Sequence, residues 1–341
     1  MKKLSLAIAL GLLSSGCVTT PQSSDSAQTI SPKVLIVTMF GSEAKPWLET
    51  NTFTHSYHIA GLSAEYPELK CNGKGICLVT TAMGYANAAS TMSAVALSPQ
   101  LNLRDTYFII SGIGGVDPND GTLGSANWAR YVIDGGLIHE IDSRQIPQDW
   151  TSGLLALGAT KPSEKAKWSA GTEVYKLNDA LVNKAYKLTA NVALSDGEQA
   201  QKYRQQYKAG TPGAQTPKVS ICDTLSSDTY WHGSDIAKSM QAYTTMVTNG
   251  KANYCTTQME DNASLTALKR GAESGKLDFN RILVMRTGSN FDREAPNQTP
   301  IESLSAKSGG YMPAVINAYR VSNTLAQKIV TDWPHWENGV K

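Results

Sequence analysis

The chain has 341 residues, 41% of them hydrophobic and 18% charged, enough to build a large core and incompatible with a disordered chain, a collagen or a coiled coil. With 31 Lys and Arg against 29 Asp and Glu, the formal charge is +2 and no dense basic run stands out. This argues against nucleic acid as a partner and favours a small, uncharged molecule.

In chain order, Lys2 and Lys3 precede the apolar run Leu4 to Leu13, too short to span a membrane but of the length of a secretory h-region. Residues 1–16 are therefore expected to be a signal peptide. Leu13-Ser14-Ser15-Gly16-Cys17 resembles a bacterial lipobox, which makes Cys17 the expected lipidation site. Val18 at the next position favours, by the same resemblance, a periplasmic protein anchored at the outer membrane. The Ser/Thr/Gln-rich residues 17–31 read as a flexible tether. No other apolar run reaches ~18 residues.

Lys33 to Thr38, Ile76 to Thr80 and Tyr107 to Ser111 are short runs of β-formers and predict buried strands, with the Ala-rich segment Ala86 to Leu97 predicting a helix between the last two. Strand, helix, strand is the pattern of a largely parallel sheet with helices on its faces. Further strands are expected at Tyr131 to Ile133, Val219 to Cys222 and Arg281 to Arg286, and helices at Ala263 to Glu273 and Tyr311 to Thr331. Residues 143–215 show no clear periodicity and read as loops and helices elaborating one core, so 32–341 is expected to be a single domain.

In an oxidising compartment the four cysteines left after Cys17 form an even set with three connectivities. Cys71 and Cys77 flank a turn-rich segment, and Cys222 and Cys255 lie in two β-like stretches; the favoured pairs are 71–77 and 222–255. A zinc site is disfavoured, because no Cys-x-x-Cys spacing occurs and no His completes a set.

Ser111-Gly-Ile-Gly-Gly115 follows a strand, and its glycines would let backbone approach a ligand closely, although the spacing is not that of a dinucleotide fingerprint. Together with Met39-Phe-Gly-Ser-Glu43, Met83-Gly-Tyr-Ala-Asn87, Cys222-Asp-Thr-Leu-Ser-Ser-Asp-Thr-Tyr-Trp-His232, Gln258-Met-Glu-Asp-Asn262 and Arg286-Thr-Gly-Ser-Asn-Phe-Asp292, it resembles the purine nucleoside permease family. That family is similar to the nucleoside phosphorylases and methylthioadenosine nucleosidases. The resemblance implies a three-layer α/β/α fold with a central mixed sheet, a purine nucleoside as ligand and no cofactor or metal. Transport is treated as an inherited label, since no spanning segment follows the leader.

The resemblance also assigns roles. Met259-Glu260 is similar to the pair in which the carboxylate accepts from both ribose hydroxyls while the Met packs on the sugar. Asn290 corresponds to the residue facing purine N7, where a donor helps the base depart. Tyr230 is similar to the aromatic that stacks on the base, with Trp231 and His232 beside it, and Asp228 to an acid that orients loops. Ser111 and Gly112, at the start of the glycine-rich turn, are expected to bind the substrate.

Glu43 resembles the carboxylate that activates water, whereas the arginine that phosphorylases carry two residues before this turn is replaced by Ile109. The reading is hydrolysis of the N-ribosidic bond, for scavenging. Its rivals are phosphorolysis, with phosphate instead of water as co-substrate held by Lys45, Arg130 or Arg286, and a nucleoside-binding lipoprotein without catalysis. The sheet is expected to bring Glu43, Ser111, Glu260 and Asn290 to one mouth. Preferred purine, 5′ substituent and a homo-oligomeric state are left open.

Overall fold

The computed structural model describes residues 29–162 and 164–341. The expected leader 1–16, Cys17 and most of the tether 17–31 lie outside the described residues.

Strand β1 (Val34–Thr38) is buried along its whole length, as its unbroken run of β-branched and aliphatic residues requires of a central parallel strand. Its four residues Val34 to Val37 are fully buried, each worth about 1.5–3 kcal/mol of transfer free energy. Helix α1 (Gly41–Thr50) starts three residues on, so the turn between them is short. Two antiparallel strands, β2 (Phe53–His58) and β3 (Glu68–Asn72), form the edge, followed by β4 (Ile76–Thr80), α2 (Tyr85–Leu97) and the long β5 (Tyr107–Val116).

The middle of the chain contributes β6 (Ala126–Trp128), β7 (Tyr131–Asp134), the small hairpin β8 (Ile138–Glu140) and β9 (Leu154–Ala156), β10 (Val174–Lys176), α3 (Asp179–Thr189) and α4 (Glu198–Arg204). Then come β11 (Val219–Ile221), β12 (Asp223–Ser226), α5 (Ser234–Val247), β13 (Tyr254–Gln258), α6 (Asp261–Glu273), β14 (Ile282–Phe291), the short α7 (Pro300–Leu304) and α8 (Tyr311–Thr331).

The main path of the sheet runs β10-β7-β12-β13-β5-β1-β4-β3-β2, with β14, β6 and β11 branching from β5. Parallel pairing joins β1 to β4 and β5, β5 to β14, and β12 to β7 and β13; β13 meets β5 antiparallel, so the sheet is mixed. Helices flank it in two groups, α1 and α3 packed on α8 and α2 packed on α6. The arrangement is the three-layer α/β/α fold with a central mixed sheet.

Several elements depart from the sequence reading or add detail to it, β14 among them, which runs on past the expected Arg286 to Phe291. The third strand continues past Ser111 to Val116, because its glycines allow neighbours to close in: a Cβ on Gly114 would sit 2.3 Å from the Thr257 carbonyl oxygen. The strand expected at Val219 to Cys222 is β11, on β6, and a further strand, β12, follows it on β7 and β13, with the Asp223 carboxylate accepting from the Arg130, Tyr131 and Asn253 amides at the break. Within 143–215, α3 is a regular amphipathic helix that buries Leu181, Val182, Ala185 and Thr189, and its Asn178 cap accepts from two amides of the first turn.

Cys71 and Cys77 face each other across the β3–β4 pair, Cα atoms 4.0 Å apart, and are joined in a disulfide. Cys222, after β11, is joined to Cys255 of β13 with a Cα separation of 5.8 Å. Among the described residues no helix is long and apolar enough to cross a membrane, and no group of three or more His, Cys, Asp or Glu is placed to hold a metal ion.

Candidate active site

A cavity of about 220 Å³ opens where the C-terminal ends of β1, β4, β5, β12, β13 and β14 converge, the edge at which open α/β sheets bind ligands. Met39, Phe40 and Glu43 enter after β1, Met83 after β4, Ile113 to Gly115 from β5, Tyr230 and Trp231 after β12, Met259 and Glu260 after β13, and Ser289 and Asn290 from β14. The sheet thus brings Glu43, Tyr230, Trp231, Met259, Glu260 and Asn290 to one wall.

Glu43 lies in the first turn of α1, where a carboxylate is favoured by the helix dipole. It is buried, and both oxygens accept backbone hydrogen bonds: Oε2 from the Met39 amide at 2.8 Å and Oε1 from the Ile113 amide at 2.7 Å. Burial pushes its pKa up to about 7, against the pull of Arg286 and of the two amides in the opposite direction, while Glu260 adds a smaller upward push. A carboxylate poised near neutrality, with lone pairs to spare, suits a general base.

Glu260 caps the start of α6. Its Oε1 accepts from the Gly84 amide at 3.2 Å and its Oε2 from the Met259 amide and from Arg286 Nη2, at 3.2 and 3.1 Å. Gly84 delivers that amide from the loop after β4, where Ala82 holds a left-handed φ of 66°. Asp228 anchors the other side of this loop by accepting from the Tyr85 amide at 2.8 Å. The remaining acceptor capacity of Glu260 faces the cavity, beside the Met259 side chain.

Asn290 is oriented from both ends: its Oδ1 accepts from the Ser289 hydroxyl at 2.9 Å, and one amide hydrogen goes to the Phe291 carbonyl at 3.0 Å. The second amide hydrogen has the Tyr230 hydroxyl as its neighbour at the cavity. The residue follows an irregularity in the β5–β14 register between Gly288 and Asn290, a local kink of the kind that re-aims a side chain next to a site. Tyr230 lies at the mouth with 56% of its surface exposed, and Trp231 packs edge-on against Tyr254 while still lining the cavity.

Ser111 is not brought to the cavity. It is buried on the side of the sheet that packs on α8, where its Oγ is 2.8 Å from the Ser322 hydroxyl and 3.3 Å from the Ala318 carbonyl. Gly112 does not line it either, and serves a different purpose from close ligand approach. A Cβ there would lie 2.0 Å from Met39 Cε, 2.5 Å from Glu43 Oε1 and 2.9 Å from Arg286 Nη1, so the missing side chain makes room for Glu43 and Arg286.

The cations raised by the phosphorolysis rival are also placed. Lys45 is an exposed partner of Glu49, and Arg130 pairs with Asp179 and Asn183 away from the cavity. Arg286 does line the cavity, at 2% exposure, and four of its five N–H donors are engaged by Asp261, Glu260 and the Ile113 carbonyl. Sequence reasoning does not single out Asp261; its signal is an acid directly after Met259-Glu260, with no other charge until Lys269 eight residues on.

The purine nucleoside permease (NUP) family matches residues 31–341. A probable purine nucleoside permease of Schizosaccharomyces pombe is 36% identical over 318 residues, covering 89% of this chain and 91% of the relative. The chain belongs to the purine nucleoside permease family. A second member, a purine nucleoside permease of Candida albicans, is 36% identical over 317 residues, 91% of this chain and 78% of its own.

Among solved structures, the fold is shared with a 5′-methylthioadenosine/S-adenosylhomocysteine nucleosidase of Neisseria meningitidis in complex with methylthio-immucillin-A. The TM-score is 0.52 at 11% identity, over 88% of this chain and 99% of that one. Futalosine hydrolase of Helicobacter pylori matches at a TM-score of 0.50 and 15% identity, over 89% of this chain and 98% of its own. At such identities the likeness is one of fold. This family member therefore carries its cavity on the same scaffold as nucleoside-cleaving enzymes.

Proposed function

We propose that this chain cleaves purine nucleosides by hydrolysis, releasing the base and ribose. The observation that carries the reading is a buried carboxylate, Glu43, set beside an arginine most of whose donors are taken, in the same cavity as Glu260 and Asn290. The purine and ribose come from the names of the relatives and from the chemistry of the site.

In this reading Glu260 accepts from the ribose hydroxyls and Met259 packs on the sugar. Tyr230 stacks on the base, and the side-chain amide of Asn290, turned from Tyr230 to the ligand, stabilises the charge that builds on the ring as the C1′–N9 bond breaks. Glu43 takes a proton from the water that adds to C1′, the division of labour found in inverting glycosidases. An incoming phosphate would meet two carboxylates and no free cation, which disfavours phosphorolysis. The expected signal peptide and lipidated Cys17 would place this activity in the periplasm.

The permease names of the relatives favour one alternative, a protein that binds nucleosides and passes them to a transporter. It would use Glu260, Asn290 and Tyr230 but has no need of a base at Glu43. Incubating purified protein with adenosine, guanosine and inosine and following free base by chromatography separates the two. Release of base supports the enzyme, and tight binding without release supports the carrier.

A further inference from the structure

Arg286 is the one cationic side chain on the cavity wall among the described residues, and Asp261 takes most of it. Asp261 is fully buried behind the wall at the first position of α6. Its two oxygens meet the guanidinium at two points, Oδ2 accepting from Nε at 3.1 Å and Oδ1 from Nη2 at 2.5 Å. Nη2 also donates to Glu260 at 3.1 Å, and Nη1 donates to the Ile113 carbonyl at 2.9 Å. Of five N–H groups, one on Nη1 remains, next to Glu43.

We propose that Asp261 is a positioning residue that fixes the co-substrate: by clamping Arg286 at two points it denies inorganic phosphate the guanidinium and leaves the site to water. This rests on the hydrolytic reading given above. A phosphate dianion needs several charge-assisted donors, and Arg is suited to supply two in parallel. The clamp commits the parallel pair, Nε and Nη2, to Asp261. The charges facing Glu43 are Arg286 from β14 and Glu260 from the start of α6, with the neutral Tyr66 hydroxyl from the segment before β3 nearby; Asp261 acts on Glu43 through Arg286. With the clamp closed, Arg286 is neutralised and the cavity stays acidic, which repels an anion; with Asp261 uncharged, the pull of Arg286 on Glu43 strengthens.

An acid that merely anchors the α6 N-terminus would affect stability alone, so the decisive readout is anion affinity. Isothermal titration of the wild type with inorganic phosphate, at constant ionic strength, is expected to show no binding that nucleoside displaces. Asp261→Asn and the smaller Asp261→Ser, each checked for folding by circular dichroism, are expected to bind phosphate at least about tenfold more tightly than the wild type. They should also move the acid limb of the activity profile down by roughly half a pH unit or more. Nucleoside-displaceable phosphate binding by the wild type overturns the proposal whatever the variants do, and so does a folded variant with no gain in phosphate affinity. Absence of base release by the wild type, by contrast, counts against the hydrolytic reading and leaves the anion result to be read by itself.

Discussion

Acidification should switch this site off through one group. Glu43 acts as a base only when ionised, and burial holds its pKa at about 7. A single group of that pKa is about 1% ionised at pH 5 and about 10% at pH 6, so kcat/KM should fall with unit slope, roughly tenfold by pH 6 and roughly a hundredfold by pH 5, relative to the plateau above pH 8. Asn290, at the leaving-group end, does not titrate, so no matching alkaline fall is expected from it. Glu43→Gln removes the base and should cost about 10²–10⁴ in turnover across the plateau, with a flat profile below it. Both carboxylate oxygens accept backbone amides, so Gln must turn its NH₂ toward either Met39 or Ile113 and gives up one of those bonds. Nucleoside affinity must therefore be measured beside kcat. Initial rates of base release in phosphate-free buffers, with the enzyme returned to pH 8 to confirm reversibility, make the test. A wild-type profile flat from pH 5 to 8, or a Glu43→Gln variant with wild-type turnover, would refute the assignment of Glu43 as base.

Stability should carry the same signature: the folded pKa of Glu43 lies above its unfolded value of 4.5, so its contribution is complete below about pH 4.5 and is lost as pH rises through 7. The difference is roughly 3 kcal/mol, and urea titrations across this range should show a shallower pH dependence for Glu43→Gln than for the wild type. Glu260→Gln should raise KM by about 10–100-fold, the worth of charge-assisted bonds to sugar hydroxyls; unchanged KM would remove Glu260 from the ribose site. Gly112→Ala should abolish turnover, since its methyl would overlap Met39, Glu43 and Arg286, and an active, normally folded Gly112→Ala protein would contradict the packing described. Ala82→Val places a β-branched residue at a φ of 66° and should destabilise by about 1–3 kcal/mol in denaturant titrations, chiefly by straining the loop that carries Gly84 to Glu260.

Much of this architecture was readable from local pattern. The runs Val34–Thr38 and Ile76–Thr80 are apolar at every position and too short for helices, which leaves only buried strands, and Tyr311–Thr331 alternates apolar and polar residues at helical spacing up to Asp332 and Pro334. What was hidden depended on partners distant in sequence. Glycines at 112, 114 and 115 argue locally for a turn, yet pairing with β14 and β13, distant in sequence, holds them in a strand. In β5, Ser111 and Gly112 point to opposite faces, so a motif that names both as ligand-facing cannot hold for both side chains. The capture of Arg286 by Asp261 joins residues 25 apart across two elements, and no spacing rule exposes it. α3 lay within a stretch whose prolines and lysines masked a short amphipathic pattern.

The central claim is that water, not phosphate, completes the reaction. Wild-type protein incubated with a purine nucleoside in scrupulously phosphate-free buffer, and again with phosphate added, can be followed by NMR for both possible sugars. The account predicts free ribose in equal amount to free base, at a rate unchanged by phosphate; turnover that depends on phosphate and yields ribose 1-phosphate would contradict it.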